Sequence, residues 1–262
     1  MDLKFGIQTY SIREDFAEDP EKALMKVKEI GFDGVEINLN LSCAPSASFL
    51  KEVLDKTELE CFGLLVGWND MQPDSIDKTI KYAKEIGTNF IVIGSVPTSL
   101  VTTHYEAMAA VKYMCNILEK MNSCGILTGY HNHDTDFTHT IDGKPFFEYI
   151  FDNTPEEFIM LLDTGNTKAG GYEPHEILKK YPNRSPYLHI KGYSKEKGYL
   201  AYIGSDDIDW ESIIELAVNN NGSRVFNIEF GSRANYIPFE RAEAAFKVIN
   251  PILKKHQEKS II

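Results

Sequence analysis

Apolar residues in this chain come in short runs that stop abruptly at polar side chains, with stretches of helical spacing between them. Ile126-Leu127-Thr128-Gly129-Tyr130 ends in His131-Asn132-His133-Asp134. Ile159-Met160-Leu161-Leu162 ends in Asp163, Tyr187-Leu188-His189-Ile190 in Lys191, and Val225-Phe226-Asn227-Ile228 in Glu229. Short apolar runs of this kind read as buried strands. Strands are therefore predicted at 126–131, 158–163, 187–190 and 225–229, and four earlier runs predict strands at 3–9, 34–38, 60–66 and 90–93. Between them the period changes. Asp19-Pro20 opens a helix in which Ala23, Leu24, Val27 and Ile30 recur at helical spacing as far as Gly31, with Asp as a cap and Pro in the first turn. Further helices are predicted at 46–56, 74–86, 104–124, 145–151, 173–181, 208–218 and 238–255.

The chain also echoes itself. Lys28-Glu29-Ile30-Gly31 leads into Val35-Glu36-Ile37, and Lys84-Glu85-Ile86-Gly87 leads into Ile91-Val92-Ile93. Each is a helix closed by glycine and followed by a strand. Eight strands alternating with eight helices predict parallel strands with helices outside. In 262 residues this suits an α/β fold of one domain, 1–262, a (β/α)8 TIM barrel, for which about 250 residues is typical. An open doubly wound sheet is the alternative, but no GxGxxG or GxxxxGK[ST] follows the first strand.

Charge narrows the partners. Lys and Arg number 27 against 39 Asp and Glu, a formal net charge of −12, which repels phosphate backbones and argues against nucleic acid. No run approaches the roughly 18 apolar residues of a membrane span, and the N-terminus reads as a first strand rather than a signal peptide. Cys43, Cys61, Cys115 and Cys124 form no CxxC pair and are expected as buried thiols in a reducing, cytoplasmic setting.

In a (β/α)8 barrel the site lies at the C-terminal strand ends. That rule gathers Glu36, Trp68, His131, His133, Asp163, His189, Lys191 and Glu229 into one set. His131, Asp163, His189 and Glu229 are the candidate ligands of one divalent ion. Mixed imidazole and carboxylate donors suit Mn²⁺, Zn²⁺, Co²⁺ or Fe²⁺, with Mg²⁺ also a candidate. Each residue has a plainer reading. His131 and His133 could be hydrogen-bonded residues of the mouth, Asp163 an Asx turn, and His189 a satisfied core histidine. Glu229 favours function, because a carboxylate closing so apolar a strand is costly unless paired or metal-bound. Trp68 is either an aromatic wall for a sugar ring or a packing residue. Gln8 and Arg233 complete the candidate substrate contacts, and Lys191 or Arg233 could meet a phosphate.

Taken together, Gly6-Ile7-Gln8-Thr9-Tyr10-Ser11-Ile12-Arg13, Gly34-Val35-Glu36, Tyr130-His131-Asn132-His133, Leu162-Asp163-Thr164-Gly165-Asn166, His189-Ile190-Lys191-Gly192 and Ile228-Glu229 resemble the xylose isomerase-like TIM-barrel superfamily, in particular its sugar phosphate isomerase/epimerase branch. The resemblance implies one divalent metal, often Mn²⁺, held by ligands from strands five to eight, of which Asp163, His189 and Glu229 match the family pattern. At strand five the ketose epimerases carry a Glu where this chain has His131, and here it also resembles inosose dehydratases, which have a Tyr-His-His-His run. Gly204-Ser205-Asp206 departs from the Gly-x-Gly that often precedes Ile-Asp-Trp. The implied activity is isomerase or epimerase chemistry on a sugar or keto-polyol: proton abstraction α to a carbonyl through a metal-stabilised enediolate, with Glu229 as base and His133 or Lys191 as acid or electrostatic partner. A dehydratase would use the same intermediate. The rivals are DNA phosphodiester hydrolysis, which needs several metals and a basic face, and a non-catalytic, metal-free sugar-binding barrel. The expected partner is a small-molecule carbohydrate, and a homo-oligomer is left open.

Overall fold

A computed structural model describes residues 2–39, 44–231 and 237–259. Eight parallel strands close into a barrel: β1 (Lys4–Gln8), β2 (Gly34–Asn38), β3 (Glu60–Val66), β4 (Phe90–Ile93), β5 (Leu127–His131), β6 (Ile159–Asp163), β7 (Tyr187–Ile190) and β8 (Val225–Ile228). Closure is made by β1 against β8, with Phe5 opposite Phe226 and Ile7 opposite Ile228. Every strand lies within one residue of its predicted bounds. The eight predicted helices are present as well, the longest being His104–Ser123 and Pro238–Lys259.

Local signals explain the helix ends. Asp19 accepts from the Lys22 amide ahead of Pro20, and the helix stops at Gly31 with φ 111°, a left-handed conformation that suits glycine. Thr103 and Glu106 form a reciprocal capping box at the start of the long helix. Short helices at Arg13–Glu18, Asp134–Thr138 and Thr164–Ala169 were not foreseen. They are too brief to show an apolar period, and the last two are set by caps at strand ends.

The barrel has two apolar compartments. The larger lies between strands and helices. The smaller fills the barrel interior with Leu65, Phe90, Val92, Ile159 and Leu161, against which Tyr187 packs. Phe90 and Tyr187 stack with centroids 4.1 Å apart. Glycine makes room for this plug: a Cβ on Gly63 would lie 2.8 Å from the Phe90 ring. Side chains on a strand alternate between faces. The inward residues two positions further along β5, β6 and β7, beyond Gly129, Leu161 and Tyr187, are therefore His131, Asp163 and His189. The apolar plug is the floor on which the polar cluster stands.

The cysteines correct one expectation. Cys61, Cys115 and Cys124 are unpaired but half-buried rather than fully buried, and Cys43 lies outside the described residues. Among the described residues, no helix is long and apolar enough to cross a membrane.

Candidate metal centre

Asp163, His189 and Glu229 are brought together with His131. One donor atom from each lies within 4.8 Å of those from the other three, and all four residues are buried. Side chains lace the strand ends that carry them. Beyond the last paired residues of β5 and β6, the Asn132 carboxamide accepts from the Asp163 amide at 2.9 Å, and Asn166 Nδ2 donates to the Asn132 carbonyl at 2.9 Å. Thr164 Oγ1 accepts from the Lys191 amide at 3.0 Å, tying β6 to β7. The Glu229 amide donates to the Ile190 carbonyl, tying β8 to β7. Backbone groups left over where the ladder ends are thereby satisfied, and the donors are held in place before anything binds.

Within the cluster the carboxylates are unequally occupied. Glu229 Oε1 accepts from Lys191 Nζ at 2.7 Å, and Glu229 Oε2 lies 2.9 Å from His189 Nδ1 and 3.6 Å from His131 Nε2. Asp163 Oδ1 caps the following helix by accepting from the Asn166 amide at 2.6 Å. Its Oδ2 is buried without a hydrogen bond, 3.6 Å from Lys191 Nζ. An orphaned buried carboxylate oxygen facing two imidazoles and a second carboxylate fits a divalent cation. The donor set is consistent with a divalent-metal site, with the Lys191 ammonium standing beside the two carboxylates as a counter-charge.

Glu36 corrects an expectation. It was a candidate substrate contact, but it is wholly buried and does not reach the cavity. Its Oε1 lies 2.9 Å from His189 Nε2. With that nitrogen engaged, Nδ1 is the one His189 can offer to an ion, and Glu36 orients the ring, as carboxylates behind metal-binding histidines do. Glu36→Gln is expected to keep the fold and weaken metal binding by about 10- to 100-fold, measured by titration calorimetry. Unchanged affinity would show that the His189 ring is oriented without Glu36.

Burial opposes charge here, and the neighbours decide the outcome. Burial alone would lower the His189 pKa, but the flanking Glu36 and Glu229 carboxylates raise it to about 10. Burial, opposed by the Glu229 carboxylate and reinforced by His189, His133 and Lys191, holds the His131 pKa well below its ordinary value. Burial lifts Asp163 to about 7 against the pull of Lys191. Glu229 goes the other way: burial would raise it, yet Lys191, His189 and His131 hold it well below the usual carboxylate range.

Above the donors is a cavity of about 600 Å³ whose lining includes Gln8, Tyr10, His133, Asn166, Lys191 and Tyr199. Gln8 Oε1 is buried without a partner. His133 is held by its amide donating to Asp136 Oδ2 at 2.7 Å, while Asp136 Oδ1 accepts from Tyr130 at 2.9 Å. Its ring meets that of His131 nearly at right angles, 5.0 Å away. Trp68 stands apart. It lines an adjoining cavity that shares Asn38, Leu65 and His133 with the first, and its ring packs edge-on against Tyr113 at 5.4 Å. Arg233 lies outside the described residues. Asn166 and Tyr199 were not foreseen. Asn166 belongs to the Asp163-Thr164-Gly165-Asn166 run and could have been taken with it, whereas Tyr199 sits in a long irregular connection with no periodic signal.

The model of the xylose isomerase-like TIM-barrel family matches residues 24–252. The chain belongs to that family. An inosose dehydratase of Clostridium perfringens is 26% identical over 171 residues, covering 53% of this chain and only 57% of that protein. One from Clostridium beijerinckii is 25% identical over 270 residues, covering 87% of this chain and 88% of the other. Among solved structures, a sugar phosphate isomerase/epimerase from Parabacteroides distasonis superposes with a TM-score of 0.78 at 21% identity, covering 96% of each chain. An L-ribulose 3-epimerase superposes at 0.72 and 13% identity, covering 98% of this chain and 97% of that one. These structural likenesses show the fold.

Proposed function

We propose that this protein is a divalent-metal-dependent isomerase or epimerase of a sugar or keto-polyol, acting by proton removal next to a carbonyl. The observation that carries the reading is the convergence of His131, Asp163, His189 and Glu229 under a polar-lined cavity at the C-terminal strand ends. An ion held there would polarise a substrate carbonyl and stabilise negative charge on its oxygen.

The side chains supply the rest. Glu229 lines the cavity and is ionised, the state a proton acceptor needs. Its depressed pKa makes it a weak base, so abstraction depends on strong acidification of the substrate C–H, and return of the proton is easy. His133 lines the same cavity and is the candidate to exchange a proton with a substrate oxygen or carbon. Gln8 offers its free carbonyl oxygen to a hydroxyl. Returning the proton to the other face gives epimerisation, and to the neighbouring carbon isomerisation.

A dehydratase is the second reading, favoured by the inosose dehydratases among the relatives and by Tyr130-His131-Asn132-His133. The same proton is removed, and the β-hydroxyl, taking a proton from His133 or Lys191, then leaves as water. In D₂O, the metal-loaded protein is expected to place deuterium α to the carbonyl of its substrate within a panel of keto-sugars and keto-polyols, followed by NMR and mass spectrometry. Loss of one water from the product identifies the dehydratase. Absence of exchange across the panel with metal bound would exclude both.

A further inference from the structure

The lysine that follows β7 does more than line the cavity. Its Nζ is 2.7 Å from Glu229 Oε1 and 3.6 Å from Asp163 Oδ2. One ammonium thus bridges two of the four donors. We propose that Lys191 is the resident counter-ion of the metal-free centre and is exchanged for the metal. The ammonium neutralises the Asp163 and Glu229 carboxylates until a divalent cation takes their oxygens, and then swings to the cavity wall beside Tyr199. This rests on the metal-binding reading of the four donors.

Charge favours such an occupant, beside the His189 imidazole that already stands between Glu36 and Glu229. Two buried carboxylates at this separation are costly without a cation between them. The structure provides a cation from within the chain, hydrogen-bonded to Glu229 Oε1 and beside Asp163 Oδ2, next to the Glu229 Oε2 that faces the two imidazoles. An ammonium and a dication on neighbouring oxygens of the same two carboxylates repel each other, at about 4 Å by several kcal/mol in a protein interior, and moving the lysine away relieves that cost.

The surroundings permit the exchange. The Lys191 backbone is fixed by Thr164, so movement is confined to the side chain. A Cβ on Gly165 would lie 2.8 Å from Lys191 Cγ, so glycine there leaves space for the stem. The ammonium is already 5.1 Å from the centre of the Tyr199 ring, and both residues line the cavity. An aromatic face is a favourable resting place for a displaced cation. After the exchange, the lysine charge points at the substrate's oxygens instead of the protein's own carboxylates.

Lys191→Met removes the cation with little change of volume, and Lys191→Gln retains a hydrogen-bond donor in case the first variant does not fold. Protein stripped with a chelator would be titrated with Mn²⁺ and Zn²⁺ by calorimetry, and melting temperatures taken with and without the ions. Both variants are expected to bind the ions tighter by about tenfold or more, and to lose more melting temperature when stripped than when loaded. Binding by the variants but not by the wild type would also support the exchange, with the lysine excluding those ions. Equal or weaker affinity than a metal-binding wild type, or an equal loss of melting temperature in both states, would overturn the exchange while leaving the metal centre intact. If neither wild type nor variants bind either ion, the metal reading falls and the exchange with it.

Discussion

Glu229→Gln is expected to lose metal on purification and to lower deuterium exchange by at least about a thousandfold. Glu229 touches more of the centre than any other group. It accepts from Lys191, contacts His189 Nδ1 and faces His131. Glutamine keeps the shape but removes the charge, and it turns an amide N–H toward a group that is itself a donor. Lys191 and His189 then lose the carboxylate they share. Breaking a buried ion pair from one side costs about 3–5 kcal/mol, so the melting temperature of the stripped variant should fall as well. Elemental analysis, exchange in D₂O and thermal melting separate these effects. A variant that keeps wild-type metal content and exchange would remove Glu229 from the centre.

Gly129→Ala is expected to abolish soluble, folded protein, although Gly129 carries no chemistry. Gly129 sits on β5 opposite Val92 and Ile159. A Cβ there would lie 2.0 Å from the Ile159 carbonyl oxygen, 2.6 Å from its carbonyl carbon and 2.8 Å from its Cα. All three are backbone atoms of the next strand, so no side chain can turn aside. Relief would require β5 and β6 to separate at the place where the barrel must stay closed, a cost beyond about 4 kcal/mol. Because His131 and Asp163 stand two and four residues beyond Gly129 and Ile159, any protein that did fold would also hold its donors out of register. Soluble yield and circular dichroism check this. A variant with a wild-type melting temperature would show that the strand pair yields more easily than its contacts indicate.

Much of this was legible from residue order. The apolar runs marked all eight strands, because a strand buried on both faces is mostly apolar until it reaches the barrel rim. The polar residue that stops the run is then the one that faces the site. Asp163 and Glu229 were found this way, and His189 because an imidazole inside such a run is out of place. Glu36 carried the same signal and was assigned the wrong partner. It is a carboxylate inside an apolar strand, β2, yet its Oε1 meets His189 Nε2 and it does not line the cavity. On sequence Trp68 is open between a sugar wall and a packing residue, and in the fold it both packs and lines the adjoining cavity. Its glycine- and acid-rich surroundings marked a loop, but a short helical turn folds the ring back against Tyr113.

The sequence by itself determined the number and order of strands, their inward residues and the chemical kinds of donor at their ends, because these follow from a period of two along each strand and from the distribution of apolar surface. Tertiary structure decided which ends meet at the same height. Closure of β1 on β8 and the stagger of neighbouring strands place Glu36 behind His189, set Lys191 between Asp163 and Glu229, and bring Tyr199 across from a connection with no pattern of its own. Those relations depend on distances between strands far apart in the chain, and residue order along one strand carries no information about the height of another.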